Sequence, residues 1–245
     1  MAADLALDAV EFSIKRLGFE PDDVQKRVLL GGPRGILNCA RQWGKSTLLA
    51  VKAVHHAYTK AESLTLILGP SGRQSAETVK KAAAFARKLG LRAKGDGSNR
   101  ASIAFPNGSR IVGLPSNEAT IRGFSKVSLL IVDEASRVKD ELFDAARPMQ
   151  ATCEGELWLL STPCGQRGFF WELWRSGEGW ERIQVTGPEC ARYSATFLAD
   201  KEKEKGTRRY RQDYLCEFVD DEGAVFLQES IGRAFREGGA FGPVA

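Results

Sequence analysis

Two kinds of segment alternate along this chain. Short, mainly apolar runs occupy residues 35–38, 64–68, 127–132 and 156–160, and such runs are typical of strands buried on both faces of a parallel sheet. Between them, longer segments repeat apolar residues at helical spacing. Helices that alternate with buried strands indicate βαβ units. The pattern therefore predicts an α/β fold with a mostly parallel sheet and helices on both faces.

The same spacing predicts where the individual helices lie. They are expected at residues 4–17, in a short segment after residue 22, and at residues 47–58, 74–89, 139–149, 168–174, 194–204 and 207–218. Asn107-Gly108 between two strand-like runs predicts a hairpin. Residues 180–185 alternate as a further strand, and residues 220–245 turn acidic and then Gly-rich, which is typical of a linker.

Composition narrows the class of protein. A length of 245 residues fits one large domain, and 43% hydrophobic with 27% charged residues is ordinary for a soluble globular protein. A net charge of +4 is only weak evidence for a polyanion partner, because an ordinary solvated surface can carry the same charge. The five cysteines form no C-x-x-C pair, so neither a zinc site nor a disulfide framework is predicted. With neither a signal-peptide pattern nor a run of about 18 apolar residues, we expect no secretion and no membrane span.

The first candidate site is the junction between the first strand and the helix that follows it. Gly44-Lys45-Ser46 matches the end of the phosphate-binding loop G-x-x-x-x-G-K-[ST]. In that motif backbone N–H groups and the lysine hold phosphate oxygens, and the hydroxyl binds Mg²⁺. The first glycine of the pattern is replaced by Cys39, so the loop is a variant. An ordinary Gly-Lys-Ser helix start remains the alternative.

Two further candidate sites stand at predicted strand ends. In phosphate-loop nucleoside triphosphatases an Asp such as Asp133 holds Mg²⁺, and the following Glu134 is placed to activate the attacking water. Ser161 and Thr162 end the next predicted strand. Either a hydroxyl there forms a hydrogen bond to a γ-phosphate, or the pair belongs to an ordinary turn at the end of the strand. Gln25 lies upstream of the loop, where its amide either reads adenine or is a solvated helix side chain.

These motifs together resemble the ATPase domain of the large terminase subunit, the motor that packages DNA in tailed bacteriophages. The resemblance rests on residues 40–46, 129–135 and 161–163 and covers most of residues 19–226. Terminases often carry an arginine where Arg41 stands and lack the first loop glycine. Phe19-x-Pro21 followed by Gln25 is similar to the adenine-binding segment of the family.

The resemblance implies a P-loop NTPase fold of the additional-strand, catalytic-glutamate type, with residues 1–226 as the motor domain. Residues 227–245 would then be a linker toward a nuclease domain, for which the chain has no room, so DNA cleavage is not expected. The implied cofactors are ATP and Mg²⁺. The implied partners are double-stranded DNA, a pentameric homo-oligomeric ring, the portal protein and the small terminase subunit, with no membrane. The implied location is the cytoplasm of the infected bacterial host, at the procapsid portal.

Each candidate residue has a predicted role. The predicted catalytic residues are Glu134, Lys45, Arg41 and Arg122, where Arg41 acts in its own subunit and Arg122 in the next subunit of a ring. The predicted nucleotide-binding residues are Gln25, Arg41, Gln42, Trp43, Gly44, Lys45, Ser46, Thr47, Ser161 and Thr162, and the predicted metal ligands are Ser46 and Asp133. The alternative functions are a helicase-like or other DNA-translocating ATPase, and a nucleotide-dependent binding switch; a small-molecule kinase is less favoured.

Overall fold

A seven-stranded sheet forms the centre of the computed structural model, which describes residues 6–115, 121, 123–151 and 153–219. Its strands are β1 Arg34–Cys39, β2 Leu64–Gly69, β3 Ser102–Ala104, β4 Arg110–Pro115, β5 Leu129–Asp133, β6 Glu156–Ser161 and β7 Glu181–Val185. Their order is β3-β4-β2-β5-β6-β1-β7. Among these seven strands of the described residues, only β3 pairs antiparallel, in the predicted hairpin with β4. The predicted mostly parallel sheet is therefore confirmed.

The described helices flank the sheet. They are α1 Ala9–Leu17, α2 Asp23–Leu30, α3 Lys45–Thr59, α4 Gly72–Lys88, α5 Asp140–Ala146, α6 Gly168–Ser176, α7 Ala195–Lys205 and α8 Thr207–Asp213, with 3-10 turns at Ala135–Arg137 and Arg147–Gln150. As predicted, α1 ends at Gly18, which is left-handed with φ 57°. No helix in the described part of the chain is long and apolar enough to cross a membrane.

Two apolar clusters pack on opposite faces of the sheet, because alternate residues of each strand point to opposite sides. Ile67 of β2 belongs to the cluster that contains α1, α3 and α4, whereas its neighbours Leu66 and Leu68 belong to the cluster with α5 and α6. Trp158 of β6 is fully buried in the first cluster, and its ring packs so closely on Gly35 of β1 that a Cβ there would overlap it. The helices therefore cover both faces, as predicted.

Three predicted helices are wrong in length. The helix predicted at residues 4–17 begins only at Ala9, where the Asp8 side chain caps it. The helix predicted at residues 139–149 ends at Ala146 and tightens into a 3-10 turn, because Pro148 cannot donate the next α-helical hydrogen bond. The helix predicted at residues 207–218 ends at Asp213. Beyond it, Cys216 is left-handed with φ 58°, and its carbonyl accepts a hydrogen bond from Asn38 Nδ2 at 2.8 Å. The chain that follows α8 is thus held against β1.

The strand order brings the predicted motifs together. β6 lies between β1 and β5 and is parallel to both, which makes it the additional strand that the sequence resemblance implies. In register, Ser161 pairs with Asn38, and Leu160 pairs with Asp133. Since parallel strands end on the same edge of a sheet, the residues that follow β1, β5 and β6 share one cleft.

A charged cluster lies at the opposite edge, where β6 begins. Glu156 accepts from Lys60 Nζ at 3.0 Å and lies 3.4 Å from both Lys52 Nζ and His56 Nδ1. Burial raises the pKa of Glu156, but His56, Lys52 and Lys60 outweigh it, so its pKa lies well below the usual range. The Lys52 side chain is only 6% exposed. Glu156 therefore neutralises a buried cation, which is costly to leave unpaired.

Glu156→Gln is expected to lower the free energy of unfolding by about 3 kcal/mol at pH 7. The folded pKa of Glu156 is depressed, so this stabilisation is present above the unfolded carboxyl pKa of about 4.3 and is lost as pH falls below it. Urea unfolding at pH 7 and pH 3.5 should show the difference between wild type and variant shrinking by about 1 kcal/mol. Exposed Glu154→Gln is the control, and a difference independent of pH would contradict the assignment.

Candidate active site

The loop between β1 and α3 has the backbone conformation that a phosphate-binding turn requires. Gly44 precedes the first residue of α3 with φ 107°, and Gln42 is also left-handed with φ 59°. Trp43 is 2% exposed and packs into the first apolar cluster, so it anchors the loop. The N–H groups in the first turn of a helix have no carbonyl acceptors within that helix, so they can bind an anion. Here that turn begins at Lys45, with the helix dipole directed at the cleft.

Lys45 is the centre of the site. Its Nζ donates to Thr162 Oγ1 at 3.2 Å and lies 3.6 Å from Glu134 Oε1. Burial lowers the pKa of Lys45, but the acidic groups of Cys39, Glu134 and Asp133 outweigh it, and the pKa is raised. Burial raises the pKa of the Cys39 thiol to about 12, so at neutral pH the two carboxylates supply the negative charge. Lys45 is therefore a buried, charged cation.

The two predicted carboxylates differ in environment. Asp133 is 5% exposed, and its Oδ1 accepts from the Glu134 amide at 3.0 Å. Burial, and next the Glu134 carboxylate, raise the pKa of Asp133 to about 6 against the opposing effect of Lys45. Glu134 is left-handed with φ 51°, an uncommon conformation for a non-glycine residue that costs about 1–3 kcal/mol. This turn holds the Glu134 side chain toward Lys45.

Hydroxyl groups at the end of β6 connect the loop to the segment after β5. Thr162 Oγ1 accepts from Lys45 and donates to the Cys39 carbonyl at 2.9 Å. On the other side, Ser136 Oγ lies 2.7 Å from Ser161 Oγ and donates to the Thr162 carbonyl at 2.8 Å. Ser136 was not among the predicted site residues, although it follows Glu134 by two positions. The pair Ser161-Thr162 thus contacts both the loop and the segment that follows Glu134.

Two predicted nucleotide-binding residues, Gln25 and Arg41, each have a contact within the protein. Gln25 is 2% exposed, so it is not a solvated helix side chain. Its Oε1 accepts from the Asp22 amide at 3.0 Å, while its buried Nε2 has no hydrogen-bond partner among the described residues. Arg41 Nε lies 3.2 Å from Asp213 Oδ1 of α8. The structure therefore pairs Arg41 with α8, and its predicted phosphate contact stays a prediction.

An arginine that sequence reasoning missed lies beside the loop. Arg192 Nη1 donates to the Trp43 carbonyl at 2.7 Å from a position 149 residues along the chain. No spacing rule relates the two positions, so only the fold reveals the contact. Arg122, the predicted second arginine, lies outside the described residues, as do residues 220–245 with the predicted linker.

Comparison with known proteins decides the family. The family model described as "Terminase large subunit, T4likevirus-type, N-terminal" matches residues 36–233, which is more than half of the chain. The chain belongs to this terminase family. The match includes the loop, Asp133-Glu134 and Ser161-Thr162, so the resemblance predicted from these motifs is confirmed. A search of curated proteins found no match.

Solved structures of phage large terminases share the fold of this terminase chain. The large terminase ATPase domain of Thermus phage P74-26 is 20% identical, with a TM-score of 0.75 over 87% of this chain and 100% of that domain. The HK97 bacteriophage large terminase is 19% identical, with a TM-score of 0.71 over 86% of this chain and 54% of that protein. A thermophilic bacteriophage large terminase in complex with ADP is 15% identical, with a TM-score of 0.67 over 81% and 54%. The terminase chain thus spans just over half of the longer relatives.

The donor set of the terminase site suits a hard divalent cation. Mg²⁺ is usually held by one or two carboxylates together with substrate phosphates and water. Burial, and next the Glu134 carboxylate, raise the pKa of Asp133 despite the opposing effect of Lys45, and a cation would favour the ionised form. Ser46, the second residue of α3, stands in the position of the hydroxyl ligand. Asp133 and Ser46 therefore fit the predicted metal.

Proposed function

We propose that this chain hydrolyses ATP to drive double-stranded DNA into a viral procapsid. The observation that carries the proposal is the contact of Lys45 Nζ with both Glu134 and Thr162, which unites the loop, the Asp-Glu pair and the hydroxyl pair in one cleft. Family membership supports it, as do relatives solved with ADP and with ATP-gamma-S.

Binding is assigned to the loop and its rim. The amides of residues 44–47 and the Lys45 ammonium would hold the phosphates, as in other phosphate-binding loops. The buried Gln25 Nε2, which has no partner among the described residues, is available to an acceptor on adenine. Ser46 and Asp133 would hold Mg²⁺, which neutralises charge on the phosphate oxygens.

Glu134 is the proposed general base. Its carboxylate lies 3.6 Å from Lys45 Nζ, and a bound triphosphate would compete for that ammonium. The freed carboxylate takes a proton from water as the water oxygen bonds to the γ-phosphorus. The bond from that phosphorus to the bridging oxygen breaks, and ADP leaves with the electron pair. Water, ATP and the carboxylate thus become ADP, phosphate and the protonated glutamic acid.

Ser161 and Thr162 are proposed to couple the phosphate state to movement. Thr162 Oγ1 now accepts from Lys45, and a γ-phosphate would change that hydrogen bond. The hydrogen bond between the Ser161 and Ser136 hydroxyls would transmit the change to the segment after β5, three residues beyond Asp133. Such coupling requires protein contacts that differ between the ATP-bound and the ADP-bound protein. A hydroxyl that bonds to the γ-phosphate meets this requirement, because ADP has no γ-phosphate.

The remaining partners are proposed from family membership. A terminase motor would act as a ring, a pentamer by family resemblance, on a portal protein, with a small terminase subunit as a further partner. It would work in the cytoplasm of the infected bacterial host. Basic side chains would hold DNA phosphates, so added salt should weaken binding of DNA. That this chain itself does not cut DNA stays a prediction.

Lys45→Ala is expected to remove nucleotide binding and lower ATP hydrolysis by at least about 10²-fold, because the phosphates lose their buried cation. Phosphate release is measured with and without double-stranded DNA, at two salt concentrations. The exposed Lys80→Ala is the control and should resemble wild type. Stimulation by single-stranded DNA with duplex unwinding would favour the helicase-like alternative, and tight ATP binding without turnover would favour the switch.

A further inference from the structure

Arg192 packs on the phosphate-binding loop from the segment between β7 and α7. Besides its hydrogen bond to the Trp43 carbonyl, its Nη1 lies 2.5 Å from the position that a Cβ on Gly44 would occupy. A side chain at residue 44 would therefore meet the guanidinium unless the Arg192 side chain shifted. Gly44 thus provides room for a cation at the point where the loop enters α3, in addition to its left-handed turn.

The segment that carries Arg192 is anchored on both sides. Cys190 is 4% exposed within the first apolar cluster, and the Tyr193 ring stacks on Phe197 with centroids 5.2 Å apart. The Tyr193 amide donates to the Cys190 carbonyl at 3.0 Å, which closes a turn around Arg192. The buried Cys190 and the partly buried Tyr193 therefore hold the chain on either side of Arg192, whose exposed side chain reaches the loop.

A further cation beside Gly44 would help to balance the negative charge of the cleft once a nucleotide is bound. Lys45 faces two carboxylates, Asp133 and Glu134, and Arg41 is paired with Asp213. A nucleotide brings several further negative charges to the same loop. Arg192 is a cation that the fold adds beside Gly44, within side-chain reach of the amides that would hold those phosphates.

We propose that Arg192 is a nucleotide-binding residue of this site, which exchanges the Trp43 carbonyl for an oxygen of the bound phosphate chain. The proposal rests on the ATPase function proposed above and adds a residue to it. A guanidinium bonds more strongly to a phosphate oxygen than to a neutral carbonyl, because both partners are then charged. The hydrogen bond to the Trp43 carbonyl places the guanidinium beside the loop, where such an exchange needs only a movement of the side chain.

The test is equilibrium binding by calorimetry of ADP, ATP-gamma-S and inorganic tripolyphosphate, which has no base or ribose. Arg192→Ala is expected to weaken all three by about 10- to 100-fold, the scale of a hydrogen bond between charged groups. Arg192→Lys should recover part of the loss, because an ammonium also binds phosphate. The control is Arg87→Ala, an exposed arginine in the last turn of α4, which should match wild type.

Affinities of Arg192→Ala within threefold of wild type for all three ligands would overturn the proposal. So would a loss that accompanies a lower melting temperature of the ligand-free variant, since Arg192 would then only support the loop. A loss of threefold or more at an unchanged melting temperature supports it. Failure of the proposed function is separate: wild type itself would then bind no nucleotide and would be indistinguishable from Lys45→Ala.

Discussion

Replacement of Glu134 by glutamine is expected to lower ATP turnover by roughly 10²- to 10⁴-fold while nucleotide binding persists. Glutamine keeps the size of the side chain but cannot accept the proton of the attacking water. The substitution also removes the carboxylate that lies 3.6 Å from Lys45. The lysine is then free for phosphate, so affinity for ATP should stay the same or rise.

For Glu134→Gln, single-turnover hydrolysis measures the loss of the chemical step, and nucleotide titration measures the affinity for ATP. Glu141→Gln on α5 changes an exposed glutamate in the same way and should hydrolyse ATP like wild type. Hydrolysis at the parent rate by Glu134→Gln would show that another group activates water. Loss of binding together with turnover would mean that Glu134 supports the loop instead.

Arg122→Ala is expected to lower turnover by about 10³- to 10⁵-fold, the range for an arginine that stabilises charge on a transferred phosphoryl group. We predict that this arginine serves the neighbouring subunit. Mixing Arg122→Ala protein with Lys45→Ala protein should then restore hydrolysis. One subunit keeps an intact loop, and its neighbour supplies the arginine. ATPase activity across mixing ratios measures the effect.

The matched control for that mixture uses Arg41→Ala with Lys45→Ala. Arg41 and Lys45 belong to one loop, so neither subunit of this mixture has an intact site, and no rescue is expected if Arg41 acts in its own subunit. Absence of rescue at every ratio of Arg122→Ala to Lys45→Ala would refute sharing across an interface. Rescue of the Arg41→Ala mixture would place Arg41 in the neighbouring site.

Local signals explain why most elements were predictable. β2 is six consecutive buried residues, and its run at residues 64–68 is evident in the sequence. Gly18 ends α1 by its own left-handed preference. The helix predicted at residues 207–218 ends at Asp213, and beyond it Cys216 has φ 58° and its carbonyl accepts from Asn38 of β1. A contact between segments far apart in the chain does not alter the pattern of apolar and polar residues in either segment, so the sequence pattern does not predict it.

The sequence by itself determined the kind of fold and predicted the chemistry of the loop, because burial pattern and motif spacing act over short stretches of chain. It also singled out Lys45, Asp133 and Glu134. Only the tertiary structure decided their arrangement: β6 lies between β1 and β5, and Thr162 bridges Lys45 and the Cys39 carbonyl. It alone paired Arg41 with Asp213 and placed Arg192 on the loop. The physical reason is that strand order and side-chain partners depend on packing between segments far apart in the chain.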